Sequence, residues 1–335
     1  MSLRSVWFEA PYQVAIREDP LTPLAPDQVL VQTVVSAISA GTEMLFYRGN
    51  VPPDMPLDTS IAALAGGVRY PLQYGYACVG RIIDIGTHVD REWLGRRVFS
   101  FQPHATHFVA QLLELFPLPE NLSPQQAVFL PNMETAVNFL LDGAPLLGES
   151  AAVLGQGVVG LLTTALLARY PLAHLVVFDR FELRRARARA LGATEVFDPA
   201  EADIAQALLG EGRADLTFEL SGQPQALNLA IELTGFAGRI IIGSWYGRKS
   251  AEIDLGGRFH RSRIRLISSQ VSTLTPELQA RWSKARRLEV AWTTLGRLPV
   301  CDLITHTFPI TEAAQAYTLL DQHPEQAVQV IFNYE

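Results

Sequence analysis

The chain predicts an α/β protein in which a doubly wound parallel sheet is joined to an irregular β domain. Three observations carry this. Ser150–Asp179 reads as strand, glycine turn, helix and strand. From Ser150 onward, short apolar runs of strand length alternate with helical stretches, the pattern of a parallel sheet with crossovers. Before Phe116 the chain holds many short apolar runs separated by Gly, Pro and Asp, and few helical patterns.

In chain order, Val29–Val35, Val79–Ile85, Arg97–Phe101 and Thr106–Ala110 read as strands, and Thr42–Arg48 as a short helix after Gly41. Asn50–Tyr70 is looser and Pro-rich at its start. Within it Asp58–Ala65 reads as a short helix capped by Asp58 or Thr59. Ser123–Asp142 reads as a helix with Ser123 as N-cap and Pro124 as its first residue, and Pro131 predicts a kink or break. Ala151–Leu154 is a strand, Val158–Arg169 a helix apolar all round, and Leu175–Phe178 a buried strand. Glu182–Leu191 is a helix ending at Gly192. Strands follow at Glu195–Phe197, Asp215–Glu219, Arg239–Gly243 and Arg263–Ser268, with helices at Asp203–Leu209 and from Ser221 to about Leu233. Six strands with right-handed crossovers complete a doubly wound sheet. Thr275–Leu295 is helical in parts, and its Arg281, Lys284, Arg286 and Arg287 read as a solvated basic face. Thr311–Leu320 is a capped helix. Ala327–Phe332 is a strand expected to return to the N-terminal domain, because the other sheet is already complete.

The totals bound the function. The 335 residues suffice for two domains, and 48% hydrophobic with 18% charged content is that of a globular chain. A net charge of −7 argues against a general nucleic-acid binder. Two cysteines, Cys78 and Cys301, exclude a disulfide framework and a four-cysteine zinc lobe. No apolar run reaches the length of a membrane span, and no N-terminal stretch has signal-peptide form; a cytoplasmic protein is expected.

The glycine turn carries the clearest chemistry. Gly155, Gly157 and Gly160 have the G-x-G-x-x-G spacing: the first for the tight turn, the second for close approach of a pyrophosphate, the third for helix–strand packing. The stretch Gly155, Gln156, Gly157, Val158, Val159 and Gly160 would present backbone N–H groups at a helix N-terminus to phosphate. Asp179 closes the next strand, where a carboxylate would take the ribose hydroxyls of an adenosine. That favours NAD, since a carboxylate repels a 2′-phosphate. Arg180 follows directly and keeps NADP open, through stacking on adenine or pairing with a 2′-phosphate.

Further residues support a wider likeness: Ala40-Gly-Thr-Glu43 followed by Gly49, Pro71-Leu-Gln-Tyr-Gly75 with Gly80, Gly95-Arg-Arg-Val-Phe99, Gly192-Ala193 and Phe259-His-Arg261. With the glycine motif, they make nearly the whole chain resemble the medium-chain dehydrogenase/reductases, the superfamily of zinc alcohol dehydrogenases and quinone reductases. Ser39-Ala-Gly-Thr-Glu43 looks most like the branch containing the bacteriochlorophyllide dehydrogenases. The resemblance implies a Rossmann NAD(P)-binding domain over 131–268 and a GroES-like catalytic domain over 1–130 and 269–335. It also implies a homodimer and a small-molecule substrate.

The chain departs from that family at the metal. Where zinc members carry the ligand Cys, the His of Gly-His-Glu and a third Cys or Glu, this chain has Ala40, Tyr76 and, by spacing, Pro131, with Glu134 close by. A catalytic zinc needs three N, S or O ligands, so no zinc is expected. A hydrogen-bond donor must then stand on the substrate oxygen. By family position Thr42 matches a proton-relaying hydroxyl, Tyr76 replaces a ligand histidine, and His104 lies past a pocket-lining strand as an acid/base candidate. Space filling is the alternative for Tyr76, and a pocket wall for His104. The resemblance puts Thr135 beside the nicotinamide, the loop Gly243, Ser244, Trp245 and Tyr246 along it, and Ser268 and Ser269 at its carboxamide. Ser221 opens the loop after the fourth strand and joins the cofactor set.

The expected activity is zinc-independent, NAD-dependent hydride transfer between nicotinamide and a secondary alcohol or ketone. Two alternatives stay open: an NADPH-dependent reductase of quinones or activated alkenes, and a dinucleotide-binding protein without catalysis.

Overall fold

The computed structural model describes residues 2–53, 55–58, 60–201, 203 and 213–334. The chain divides into two units, residues 1–131 with 292–335 and residues 132–291. The segment 269–291, which the sequence reading gives to the first domain, lies in the second unit.

In the first unit, strands Ile304–Pro309, Gln329–Asn333, Gln28–Ala37, Cys78–Ile85, Arg97–Ser100 and Leu115–Pro117 lie side by side in that order, and His107–Gln111 also pairs with Gln28–Ala37. Val29, Val31, Cys78, Ile82, Val98 and Phe108 fill one side of this sheet. The returning strand is observed: Ile331 stands opposite Ala37 in antiparallel register. A second, two-stranded sheet pairs Ser2–Ala10 with Gln13–Pro20 across a turn in which Tyr12 has φ 64°; it was not expected. Its signal, the alternation through Val6 and Phe8, is broken by a register shift between Phe8 and Ala10.

The helix expected over Thr42–Arg48 runs from Ala40 to Tyr47 and buries Glu43 through Tyr47. Helix Ala313–Gln322 brings Tyr317 against it, stacked on Tyr47 at 5.7 Å. Among the described residues of 58–65 only the turn Ala62–Leu64 is helical; Asp58 accepts the N–H groups of Ser60 and Ile61, and Thr59 lies outside the described residues. The helix expected over Ser123–Asp142 with a kink or break at Pro131 is two helices, and the break falls just before Pro131, at 128–129. Ser123 caps Pro124–Ala127 with a reciprocal Gln126 bond, and a new helix, Leu130–Gly143, carries Pro131 in its first turn, where proline's missing N–H has no intrahelical partner to lose.

The second unit holds, among the described residues, a six-stranded parallel sheet in the order Glu195–Phe197, His174–Phe178, Ser150–Leu154, Ala214–Glu219, Thr234–Ile242, Arg265–Ser268. The strand order reverses direction between Ser150–Leu154 and Ala214–Glu219, and in such sheets ligands bind beyond the strand C-termini at this point. Helices Val158–Leu167, Glu182–Ala190 and Ala226–Leu233 cross between strands. The helix expected over 203–209 lies almost wholly outside the described residues. Helix Lys284–Leu295 carries one correction. Arg287 is not solvated but 1% exposed, paired with Glu134 at 2.8 Å and bonded to Asn138 at 2.5 Å and to the Thr273 and Val271 carbonyls.

Candidate functional site

In the first unit the strand Gln28–Ala37 and the helix Ala40–Tyr47 meet at Ser39, the N-cap of the helix. This places Ser39 and Thr42 within reach of Tyr76, just before strand Cys78–Ile85. The Tyr76 hydroxyl donates to Thr42 Oγ1 at 3.2 Å and shares a short hydrogen bond with Ser39 Oγ. All three residues are half-buried. Burial pushes the Tyr76 phenol up to about 12, although the Ser39 and Thr42 bonds pull the other way. At neutral pH it is therefore a protonated donor at the centre of three hydroxyls.

His104 belongs to a different cluster. It is 0% exposed, with Nδ1 bonded to Ser36 Oγ at 2.6 Å and Nε2 to Glu43 Oε2 at 3.0 Å. Ser36 Oγ continues to the Tyr334 hydroxyl at 2.6 Å, and Tyr317 donates to the same Glu43 oxygen at 2.5 Å. Glu43 Oε1 accepts the Ser39 N–H at 2.7 Å. The ring edge is closed as well, because a Cβ on Gly75 would lie 2.8 Å from it. His104 thus holds Glu43 and Ser36 and presents neither ring nitrogen to solvent. The geometry brings Thr42 and Tyr76 together and leaves His104 behind them. Ser39 and Glu43 were missed as functional residues; both stand in the Ser39–Glu43 stretch, but spacing alone does not say which hydroxyl meets which.

In the second unit the glycine turn follows strand Ser150–Leu154. Gly155 has φ 91° and lies against Ser221: a Cβ there would come within 2.5 Å of the Ser221 backbone. A Cβ on Gly160 would sit 2.0 Å from the Gly155 carbonyl oxygen, so only glycine lets the helix approach the turn. Gly157 is the opposite case. A Cβ there would meet nothing within 4 Å, and as N-cap of Val158–Leu167 it makes no side-chain cap bond. That open space at an uncapped helix N-terminus, with Val158 and Val159 half-buried behind it, fits a pyrophosphate. Gln156 is buried, accepting from the Thr164 hydroxyl at 2.9 Å.

Asp179 is 6% exposed; its two oxygens accept the Gln156 N–H at 2.7 Å and the Phe181 N–H at 2.9 Å. An ionised carboxylate has about four acceptor sites, which leaves capacity for a ribose hydroxyl. Arg180 is exposed and stacks on the Phe181 ring at 4.7 Å, while Arg184 stacks on the same ring at 4.9 Å. Ser221, Ser244 and Tyr246 gather round the buried Glu219. Gly243 lies over Phe139, whose ring a Cβ would meet at 2.2 Å, and Trp245 is half-buried. Thr135 is half-buried on helix Leu130–Gly143, one residue from the Glu134–Arg287 pair. Ser268 ends its strand exposed, whereas Ser269 is buried against Asn138 at 3.0 Å. Arg287 draws Glu134 down, but burial is the larger influence and holds its carboxyl above the usual range.

Comparison with known proteins follows this geometry. Residues 158–288 match the model of a zinc-binding dehydrogenase domain. D-guloside 3-dehydrogenase of Escherichia coli K12 is 24% identical over 96% of this chain and 97% of its own. The 2-desacetyl-2-hydroxyethyl bacteriochlorophyllide A dehydrogenase of Cereibacter sphaeroides is 25% identical over 97% and 96%. An alcohol dehydrogenase of E. coli CFT073, solved in complex with NADH, superposes with a TM-score of 0.79 at 20% identity, covering 99% of each chain. Among the described residues no helix is long and apolar enough to cross a membrane.

Proposed function

We propose that this chain, whose residues 158–288 match a zinc-binding dehydrogenase domain, is an alcohol dehydrogenase-like protein of the medium-chain type that carries out NAD-dependent hydride transfer between nicotinamide and a secondary alcohol or its ketone, without zinc. The observation that carries this reading is the hydroxyl cluster Ser39–Tyr76–Thr42, in which Tyr76 stands where the family resemblance puts a ligand histidine and Thr42 where it puts a proton-relaying hydroxyl. Ala40, Tyr76 and Pro131 do not make a donor set for zinc. Glu134, the nearest carboxylate in sequence, is committed to Arg287. The described residues contain no group of three or more His, Cys, Asp or Glu suited to a metal.

The nicotinamide, when bound, supplies the hydride acceptor or donor. The chain's residues do the rest. Backbone N–H groups from Gly157 to Gly160 hold the pyrophosphate, and the spare acceptor capacity of Asp179 holds ribose hydroxyls. Thr135, Ser221, the 243–246 loop and Ser268 border the nicotinamide half. Tyr76 turns its proton from Thr42 toward the substrate oxygen as negative charge grows there, Ser39 donates to the phenol oxygen, and a proton from solvent restores the half-buried cluster. His104 and Glu43 fix the helix N-terminus that presents Thr42. The relatives support the substrate class by name: one acts on a guloside, another on a molecule bearing a hydroxyethyl group. The same reading takes the protein as a cytoplasmic homodimer acting on a small molecule.

The test is a paired titration with NADH and NADPH, followed by energy transfer from the five tryptophans, and then turnover of a secondary-alcohol panel with and without a chelator. Tighter NADH binding and chelator-resistant turnover are expected; turnover abolished by metal removal overturns the zinc-free part. The second reading, NADPH-dependent reduction of quinones or activated alkenes, is favoured by Arg180 and Arg184 flanking Phe181 beside an Asp179 already bonded to two N–H groups. Tighter NADPH binding would select it.

A further inference from the structure

Glu219 ends the strand Ala214–Glu219, level with Leu154 where the glycine turn begins. It is 0% exposed. Its Oε1 accepts the Ser221 N–H at 2.8 Å and also the Ser221 hydroxyl, and its Oε2 accepts the Tyr246 hydroxyl at 2.5 Å. Ser244 Oγ donates to the Glu219 carbonyl at 3.3 Å and accepts the Gly222 N–H at 2.9 Å. Lys249 Nζ reaches the Gly222 carbonyl at 2.7 Å. One carboxylate and its own backbone carbonyl thus join the loop after the fourth strand to the loop after the fifth. Ser221 in turn rests against Gly155 of the glycine turn.

Among the described residues, the hydrogen bonds to this carboxylate come from two hydroxyls and one amide. Burying a charge carries a large desolvation penalty, and a core position could be filled more cheaply by an apolar side chain. Hydrogen bonding alone does not require the charge. A charge acting on something bound beside it does, because a charge in a low-dielectric surround is weakly screened.

We infer that Glu219 is a positioning residue for the nicotinamide half of the cofactor: it holds the 221–222 and 243–246 loops together, and its negative charge favours the oxidised, cationic ring over the reduced, neutral one. This rests on the reading above, in which those loops border the nicotinamide. Tyr246 serves as a fixed donor in it: burial, with the adjacent carboxylate, pushes its phenol far up, so it stays protonated.

The experiment measures dissociation constants of NAD+, NADH and ADP-ribose, together with the melting temperature of the cofactor-free full chain, for the wild type, Glu219→Gln and Tyr246→Phe. ADP-ribose lacks the nicotinamide and reports the adenosine and pyrophosphate contacts alone. In E219Q the loss of a charge-assisted contact is expected to weaken NAD+ by about tenfold and NADH by about threefold. ADP-ribose should stay within about twofold of the wild type. Y246F keeps the charge but loosens the clasp, so NAD+ and NADH should weaken equally, by roughly threefold, with ADP-ribose unchanged. Equal losses for all three ligands in E219Q, or an unchanged NAD+ to NADH ratio, would reduce Glu219 to support of the fold and overturn the inference. Should E219Q fail to fold, Y246F decides alone: selective loss of the dinucleotides supports the clasp, and no loss overturns it. A wild type that binds none of the three overturns the nucleotide reading and this inference with it.

Discussion

Replacing Tyr76 by Phe removes one oxygen from the centre of the hydroxyl cluster and nothing else. The structural cost is small. The phenol bonds Thr42 at 3.2 Å and Ser39, and both are half-buried, so water can take over the vacated bonds. A net hydrogen-bond contribution of about 1 kcal/mol is the scale, which for a chain of this size lowers the melting temperature by about 1–2 °C. The catalytic cost is much larger if Tyr76 supplies the donor to the substrate oxygen. Losing one such donor costs about 10²–10³ in kcat, or about 3–4 kcal/mol. The assay is kcat and KM on the best secondary alcohol of a panel, beside a thermal melt and an NADH titration. NADH affinity should not move, since Tyr76 and the glycine turn belong to separate units. Held up at about 12, the Tyr76 phenol also contributes no ionisation to the neutral pH range. A Y76F enzyme that keeps half or more of the wild-type kcat refutes the reasoning, and Tyr76 is then a space-filler.

Gly157→Ala and Gly160→Ala should separate binding from folding. The first places a methyl in open space and is expected to weaken NADH by tenfold or more with an unchanged melt, while the second drives a methyl to 2.0 Å from the Gly155 carbonyl and should cost about 1–3 kcal/mol of stability. Breaking the buried pair with Arg287→Met should destabilise by about 3–5 kcal/mol in denaturant titration, and the double change with Glu134→Met should recover most of it. Glu149 accepts two bonds from Arg239, which hold its carboxyl below the ordinary 4.5. A depressed carboxyl stabilises above its unfolded pKa and loses that contribution as pH falls through its folded one. The melting-temperature gap between wild type and Glu149→Gln should therefore be full at pH 7 and shrink as pH falls below 4.5.

What the sequence revealed, and what it hid, divides along a physical line. Periodicity and glycine spacing are local properties, and they located every strand of the parallel sheet and the turn at Gly155–Gly160. Gly160 could be assigned because no other residue fits where its Cβ would fall. Partnership between distant side chains leaves no such trace. Arg287 sits among basic neighbours and reads as solvated, yet its buried partner Glu134 lies 153 positions away. His104 looks like a catalytic histidine because histidines titrate near neutrality; its enclosure comes from Glu43 and Ser36, 61 and 68 positions away. Glu219 drew no notice because a single carboxylate at a strand end is ordinary until its three donors are seen.

The strand Gln329–Asn333 bears on the order in which the molecule can assemble. It lies beside Gln28–Ala37, and the Ser36–Tyr334 bond closes a loop of 298 residues. A ribosome delivers the 28–37 strand long before its neighbour, so that edge must wait while residues 132–291 emerge. The contiguous unit can complete its sheet during this interval, whereas the discontinuous one cannot. Long-range strand pairing is slow and leaves apolar edges open to other chains. The unit carrying the hydroxyl cluster is thus the last to mature, and nascent chains stalled short of residue 329 should hold a formed parallel sheet and an open, aggregation-prone antiparallel one.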